Sequence, residues 1–283
     1  MVSKKYSVLM SVYQREKPQY FKDSIKSMVH QTLPPDQIVI VKDGELTNEL
    51  EIVIKQFFEK YPDLITIVPL KKNVGLGIAL NQGLKKCRNE LIARMDTDDI
   101  SKKDRCEKQI KEFFKNNSLS IVGTYIDEFT NDPNNIISSR LVPTEHSDIL
   151  RFSKRRNPFN HPTVMYKKSV IQNLGGYNDF RRNQDFDLFV RILNSGYISK
   201  NINEALVLFR ADNENLKRRK SWTKCKNNIY LLFNFWKSGY SGFLDFLIVS
   251  LAQVVVFISP LWLFDFLSKK ILRKSMDNEK VVD

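Results

Sequence analysis

The chain has 283 residues, 42% of them hydrophobic, which argues for a globular protein with one large or two small domains. Its formal charge of +13 at pH 7 calls for an acidic partner: nucleic acid, an anionic membrane or a phosphorylated substrate. Three widely separated cysteines, Cys87, Cys106 and Cys225, lack metal-ligand spacing and read as reduced thiols of the cytosol, and the opening Met1-Val2-Ser3-Lys4-Lys5-Tyr6 has no apolar targeting core, so no secretory signal is expected.

In chain order, Tyr6 to Val12 is apolar and β-prone and reads as a first strand. Pro18 suits the first turn of a helix, and Phe21, Ile25, Met28 and Val29 recur at helical spacing until Pro34-Pro35. Ile38 to Val41 is a second strand ending in Lys42-Asp43-Gly44. A helix over about 49–61, a strand at Ile65 to Val68 and a helix over about 75–87 follow. Glu90-Leu91-Ile92-Ala93-Arg94-Met95 then reads as a buried strand that delivers Asp96-Thr97-Asp98-Asp99 onto a loop. Alternating strands and helices imply right-handed crossovers and a mostly parallel sheet, whose strand ends gather Ser11, Asp43 and the acidic loop on one ligand-binding edge.

Beyond Ser101 the pattern changes. A helix is expected at Arg105 to Lys115, and Ile121 to Phe129 with Ile136 to Leu141 flank the turn-rich Asn131-Asp132-Pro133-Asn134-Asn135 as a hairpin. Glu145 to Phe152 reads as a short helix, 155–162 as a donor-rich loop, Gly175-Gly176-Tyr177 as a turn, Gln184 to Ile192 as a helix and Leu206 to Phe209 as a last strand before Arg210. The tail differs. Lys217-Arg218-Arg219-Lys220 is basic, Phe246 to Phe264 carries no charge, and Lys269, Lys270, Arg273 and Lys274 follow. Basic, apolar, basic is the layout of a segment held at an anionic cytoplasmic leaflet, and a buried helical hairpin or an oligomer contact is the alternative.

Closely spaced carboxylates repel one another unless a cation offsets them, so Asp96, Asp98 and Asp99 suit Mn²⁺ or Mg²⁺ shared with a diphosphate; a solvated acidic turn is the alternative. Asp43-Gly44 reads locally as a plain Asp-Gly turn, though a carboxylate there can also accept from a base N–H. Gly75-Leu76-Gly77 has Leu80 where a dinucleotide fingerprint needs its third glycine, which argues against a nicotinamide site. Asp185 and Asp187 fall on different faces of their helix, so one can serve as a general base while both can balance the helix dipole. His161 can touch a phosphate or an acceptor, or make a structural hydrogen bond.

Taken together, Ser7 to Tyr13, Val41-Lys42-Asp43-Gly44, Asn73-Val74-Gly75-Leu76-Gly77 with Ala79-Leu80-Asn81, Ala93 to Asp99, Arg156 to Pro162, Gly175-Gly176-Tyr177 and Gln184 to Leu188 resemble the inverting family-2 glycosyltransferases. The resemblance implies an α/β, GT-A-type Rossmann-like fold with a mixed, mostly parallel sheet flanked by helices and a C-terminal helical membrane-associating tail. It implies a glycosyltransferase domain over 1–215, with a nucleotide-binding half 1–100 and an acceptor half 101–215, followed by a tail at 216–283. By position, Ser11 and Tyr13 match residues around the base, Asp43 the uracil partner, Asp96 and Asp98 acids near ribose and diphosphate, and Asp99, with Asp98, the metal ligands. Asn73 and Arg94 join the donor set, Arg210 with Arg218 and Arg219 forms the basic segment over the diphosphate, Asp185 matches the catalytic base, and His161 and Gln184 are acceptor or phosphate candidates.

Two departures stand out. Lys42 replaces the first acid of Asp-Asp-Gly, and Gln184 replaces the glutamate before Asp185, which removes a neighbouring negative charge and should lower the Asp185 pKa. The implied reaction is metal-dependent, inverting transfer from a UDP-sugar to a glycan or lipid-linked hydroxyl in capsule, O-antigen or similar polysaccharide synthesis, at the cytoplasmic face of the inner (plasma) membrane. It implies no nucleic-acid partner and leaves a homo-oligomer open. An inactive UDP-sugar-binding homologue and a basic nucleic-acid binder are the rival readings.

Overall fold

The computed structural model describes residues 4–180, 182–211 and 222–259. Its first half alternates as expected: β1 (Tyr6–Val12), α1 (Pro18–Val29), β2 (Gln37–Lys42), α2 (Asn48–Lys60), β3 (Ile65–Pro69), α3 (Leu76–Lys86) and β4 (Leu91–Arg94). These four strands are parallel in the order β3-β2-β1-β4, with Ser11 beside Val41 and Leu9 beside Arg94. Helices cover both faces, which is why the strands are nearly unbroken apolar runs rather than alternating ones. One core packs Phe21, Ile25 and Met28 of α1 and Leu50 of α2 under the sheet; the other packs Ala79, Leu80 and Leu84 of α3 over it. On that second face a Cβ on Gly83 would lie 2.4 Å from Leu9 Cδ1, so glycine sets how closely α3 approaches β1.

The second half adds β5 (Ile100–Ser101), α4 (Arg105–Lys115), β6 (Leu119–Phe129), β7 (Ile136–Arg140), α5 (His146–Ser153), a 3₁₀ turn at His161–Thr163, β8 (Met165–Lys167), α6 (Lys168–Asn173), α7 (Gln184–Asn194) and β9 (Ile198–Arg210). One nine-stranded sheet continues through both halves as β4-β8-β6-β9-β5, with β7 alongside β6. Here the pairing is mixed: β8 is antiparallel to β4 and β6, β7 to β6 and β5 to β9, while β6 and β9 are parallel. The expected hairpin is present as β6–β7.

The last strand is longer than the expected Leu206 to Phe209, because its first part hides polar residues that carry no apolar signal. Ser199 and Asn201 are buried on β9. The Ser199 hydroxyl is hydrogen-bonded with His146 Nδ1 at 2.9 Å, and the Asn201 amide donates to the Pro143 and Pro158 carbonyls at 2.7 and 3.0 Å.

Two further helices, α8 (Trp222–Lys237) and α9 (Phe243–Ile258), form a hairpin against α7. Leu231, Leu232 and Phe235 pack on Phe186 and Val190, and Arg155 forms an ion pair with Asp245. The apolar stretch expected over 246–264 is helical only to Ile258 among the described residues. At 16 residues α9 is about 24 Å long, short of a hydrocarbon core of about 30 Å. No helix among the described residues is long and apolar enough to cross a membrane. The basic clusters at 217–220 and 269–274, including Arg218 and Arg219, lie outside the described residues.

Candidate active site

The parallel strands end along one edge, and the loops there are clamped together. The Asp43 carboxylate accepts from the backbone N–H groups of Val74 at 2.7 Å and Gly75 at 3.1 Å, and the Asn73 amide donates to the Asp43 carbonyl at 3.2 Å. Gly44 has φ of +88°, and a Cβ there would sit 2.7 Å from the Asn73 nitrogen, so the turn requires glycine. Lys42, the departure before Asp43, turns to an ion pair with Glu51 of α2.

The acidic loop is held from beneath. Arg94 is 1% exposed and pairs with Asp96. Arg105, also buried, donates to the Arg94 carbonyl at 2.7 Å, and the Ser24 hydroxyl of α1 donates to the Asp96 carbonyl at 2.6 Å. Asp99 is wholly buried: Oδ1 accepts from the Arg210 backbone N–H at 2.9 Å, while Oδ2 has no hydrogen-bond partner. Carboxylate oxygens of Asp96, Asp98 and Asp99 lie within 4.8 Å of one another. Burial, and then the charge of Asp96, push the Asp98 carboxyl up to about 6; burial followed by Asp98 and Asp96 holds Asp99 well above the carboxylate range. Three crowded acids and an orphaned buried oxygen are what a divalent cation satisfies, so these residues fit Mn²⁺ or Mg²⁺.

Opposite this loop stands the N-terminus of α7. Asp185 accepts from the Asn157 amide at 2.7 Å, and burial raises its pKa above the ordinary value against the opposing pull of backbone N–H groups, Asn157 and Arg94. The missing glutamate therefore leaves a base whose proton affinity is set upward by desolvation. Asp187 faces away, bonded with Arg191 and Asn178, as the helical spacing requires. Gln184 is 7% exposed and its Oε1 has no partner. His161 is hydrogen-bonded through Nε2 with the Tyr177 hydroxyl at 3.0 Å; burial and then the Arg94 charge hold its pKa well below the usual imidazole value, so the ring is neutral. Asn81 fixes this wall by accepting from Tyr177 N at 2.8 Å and donating to Tyr177 O at 2.7 Å.

Two cavities meet here. The first, about 560 Å³, brings together Ser11, Tyr13, Asp43, Asn73, Asp96, Asp98, His161, Gln184 and Asp185 from the sequence-derived set. The second, about 510 Å³, shares Asp96, His161, Asn183, Asp185 and Phe209 with it and extends toward α8 and α9. Three of the remaining residues lie behind the first cavity: Arg94 under Asp96, Asp99 under Asp98, and Arg210 stacked on Tyr20 and Phe129 with its Nε donating to the Asp98 carbonyl at 3.1 Å. None of the three lines the first cavity: Arg94 and Arg210 hold the acidic loop from behind, and Asp99 belongs to the carboxylate cluster. Sequence reasoning missed the roles of Asn157 and Asn183. The latter is the one non-glycine with positive φ among the described residues, at +64°, where it precedes α7 and lines both cavities.

Residues 7–175 match the family described as Glycosyl transferase family 2. The chain is 33% identical over 270 residues to the UDP-Gal:alpha-D-GlcNAc-diphosphoundecaprenol beta-1,3-galactosyltransferase of Escherichia coli, covering 95% of this chain and 97% of that protein. It is 32% identical over 265 residues to the amylovoran biosynthesis glycosyltransferase AmsE of Erwinia amylovora, covering 94% and 98%. The fold is shared with the mannosyltransferase PcManGT from Pyrobaculum calidifontis in complex with GDP-Man and Mn²⁺, at a TM-score of 0.62 and 15% identity over 92% of this chain and 72% of that one.

Proposed function

Because the chain belongs to Glycosyl transferase family 2, and is a glycosyltransferase, we propose that it moves a sugar with inversion from a UDP-sugar to a hydroxyl of a lipid-linked glycan in polysaccharide synthesis. The observation that carries this reading is the meeting of two cavities at Asp185, with Asp96, Thr97 and Asp98 of the acidic loop lining the first and Asp96 the second as well. The E. coli relative's name supplies the UDP donor and the diphosphate-lipid acceptor class, and its β linkage agrees with direct displacement on an α-linked donor.

In this mechanism the nucleotide occupies the first cavity, its base between Ser11, Tyr13 and the Asp43 turn. Asp98 and the free Oδ2 of Asp99, with Asp96, would hold the cation. Bound there, Mn²⁺ or Mg²⁺ supplies positive charge against the charge that grows on the departing UDP. Asp185 takes the proton of the acceptor hydroxyl as that oxygen forms its bond to the anomeric carbon; the bond from that carbon to the β-phosphate oxygen breaks and its electron pair leaves with UDP. A panel of nucleotide sugars screened by thermal shift with and without Mn²⁺, followed by turnover with those that bind, tests the reading: selective, metal-dependent stabilisation by a UDP-sugar is expected, and none with any UDP compound would refute it.

The raised pKa of Asp185 fixes a pH dependence. The base must be ionised, so activity is lost as pH falls through a pKa that burial raises above the ordinary aspartate value, and is retained above it. Gln184→Glu returns a second negative charge beside it, and the acid limb of kcat/KM should then move to higher pH. An unmoved limb would mean that the two side chains do not sense each other.

We also place the enzyme at the cytoplasmic face of the inner (plasma) membrane, peripheral or monotopic. The support is the outer face of the α8–α9 hairpin, where Leu244, Leu251, Val255 and Ile258 are 58–72% exposed. Moving a leucine-sized side chain from water into lipid gains about 1.5–3 kcal/mol, so several together suffice for a stable contact. The protein should co-sediment with vesicles containing anionic phospholipid. The double variant Leu244→Glu/Leu251→Glu should stay in the supernatant and still bind UDP. Sedimentation of that variant at the wild-type level would rule out this face as the contact.

A further inference from the structure

The second cavity is lined by three kinds of surface: Asp185 with Asn157, the arginines Arg140, Arg155 and Arg156, and Leu232, Val249 and Val256 of the α8–α9 hairpin. The hairpin is tied to the wall at two points. Arg155 pairs with Asp245, and the Asn183 amide donates to Asn228 at 2.7 Å, whose own amide donates to Gln253 at 3.0 Å. The cavity is thus built from both the sheet domain and the apolar helices that carry the exposed face.

The arginines are not equivalent. Arg140 donates to the buried Glu128 at 2.8 Å, and Arg155 is held by Asp245. Arg156 lies over the Phe152 ring, 5.0 Å from its centre, and no carboxylate pairs with it among the described residues. Desolvation and then the like charge of Arg140 pull the Arg156 pKa down from its ordinary value. Three arginines on one cavity, with Arg156 the one that no carboxylate pairs among the described residues, are a place for an anion, which relieves their repulsion and takes charge-assisted hydrogen bonds.

An amphiphile matches this set of surfaces if its sugar hydroxyl reaches the base, its phosphate group meets the arginines and its hydrocarbon chain meets the apolar side chains. We propose that Arg156, with Arg140, binds the diphosphate of a lipid-linked acceptor, and that the first part of its hydrocarbon chain runs along Leu232, Val249 and Val256. The assignment rests on the reading of Asp185 as the acceptor-side base. It separates two diphosphate sites by their chemistry: the acidic cavity takes the nucleotide's through a cation, and the basic cavity takes the lipid's directly.

The test is calorimetric titration of the full chain with farnesyl diphosphate below its micelle concentration, with saturating UDP and Mn²⁺ occupying the first cavity. Farnesol and inorganic pyrophosphate serve as the two half-ligands. Farnesyl diphosphate should bind in the presence of UDP, and each half-ligand should bind far more weakly. Arg156→Gln should weaken farnesyl diphosphate by about ten- to a hundredfold, the loss expected for hydrogen bonds to a charged group. Arg156→Lys should recover part of that, because it keeps the charge but not the fork. Val256→Asp should weaken farnesyl diphosphate while leaving pyrophosphate where it was. Because Arg156 pairs with no carboxylate among the described residues and gives up only its contact with the Phe152 ring, its variants should melt close to the wild type. Competition between farnesyl diphosphate and UDP, or wild-type affinity in both Arg156→Gln and Val256→Asp, overturns the assignment. Should UDP itself not bind, the donor reading fails, and the farnesyl diphosphate titration repeated without UDP still decides this site.

Discussion

Asp185→Asn is expected to slow sugar transfer by about 10²–10⁴-fold while UDP affinity stays at the wild-type value, measured by initial rates with saturating donor and by titration of UDP. The titratable side chains that line both cavities are Asp96, His161 and Asp185. Asp96 is engaged by the buried guanidinium of Arg94. His161 shares its Nε2 with the Tyr177 hydroxyl, and its proton affinity is depressed by burial and by Arg94. Asp185 lines both cavities while its Oδ2 accepts from Asn157, and burial raises its affinity for the proton it has to take. The amide replacement has the same shape, and its carbonyl still accepts from Asn157, so the wall stays in place. What disappears is the ability to remove the acceptor proton. A loss confined to KM, with kcat unchanged, would make Asp185 an acceptor-binding residue instead.

The parts of this molecule that the sequence exposes are those whose burial is complete and apolar. β1, β2 and β4 are covered on both faces, so their residues read as continuous hydrophobic runs, and α1 to α4 repeat at helical spacing. The acidic loop is legible for another reason: three aspartates in four residues suit a cation or a solvated turn, and the ordered set of motifs around them favours the cation. β9 is only half legible, because Ser199 and Asn201 point inward and are satisfied by hydrogen bonds that local sequence does not reveal. β8 and α6, at three and six residues, are shorter than any periodicity can resolve.

The same limit applies to the site. Motif positions put Asp185, Asp43 and Asp98 at one edge, but depth is a tertiary property. Nothing in Ala93-Arg94-Met95 says that Arg94 lies beneath the cleft, nor that Asp99 turns inward to the Arg210 amide. Asn157 bonds to Asp185 from 28 positions away, and a lone asparagine in a loop carries no signal of that. Asp185 shows the same thing in energetic form: burial raises its pKa above the ordinary aspartate value, and the depth that causes this is not written in the residues beside it.

Depth also decides which aspartate gives the cleaner test of the metal. Asp98→Ala should weaken UDP binding in Mn²⁺ by about a hundredfold or more, down to the affinity the wild type shows with EDTA. Loss of a residue that only orients a ligand typically costs 10–100-fold, and Asp98 would itself be a ligand. Asp98 lines the first cavity, and its pKa of about 6 reflects burial and repulsion from Asp96. Removing it relieves that repulsion, so the metal-free variant should melt no lower than the metal-free wild type. Asp99→Ala strikes the same cluster but leaves the buried Arg210 amide without an acceptor, a loss of about 1–3 kcal/mol that mixes folding with binding. The two variants therefore separate the roles: both should lose the response of UDP affinity to Mn²⁺, and Asp99→Ala alone should melt early without metal. If Asp98→Ala bound UDP with the wild-type dependence on Mn²⁺, the cation would have to sit elsewhere, and the proposed division between a cation-bridged nucleotide and an arginine-bound acceptor would lose its first half.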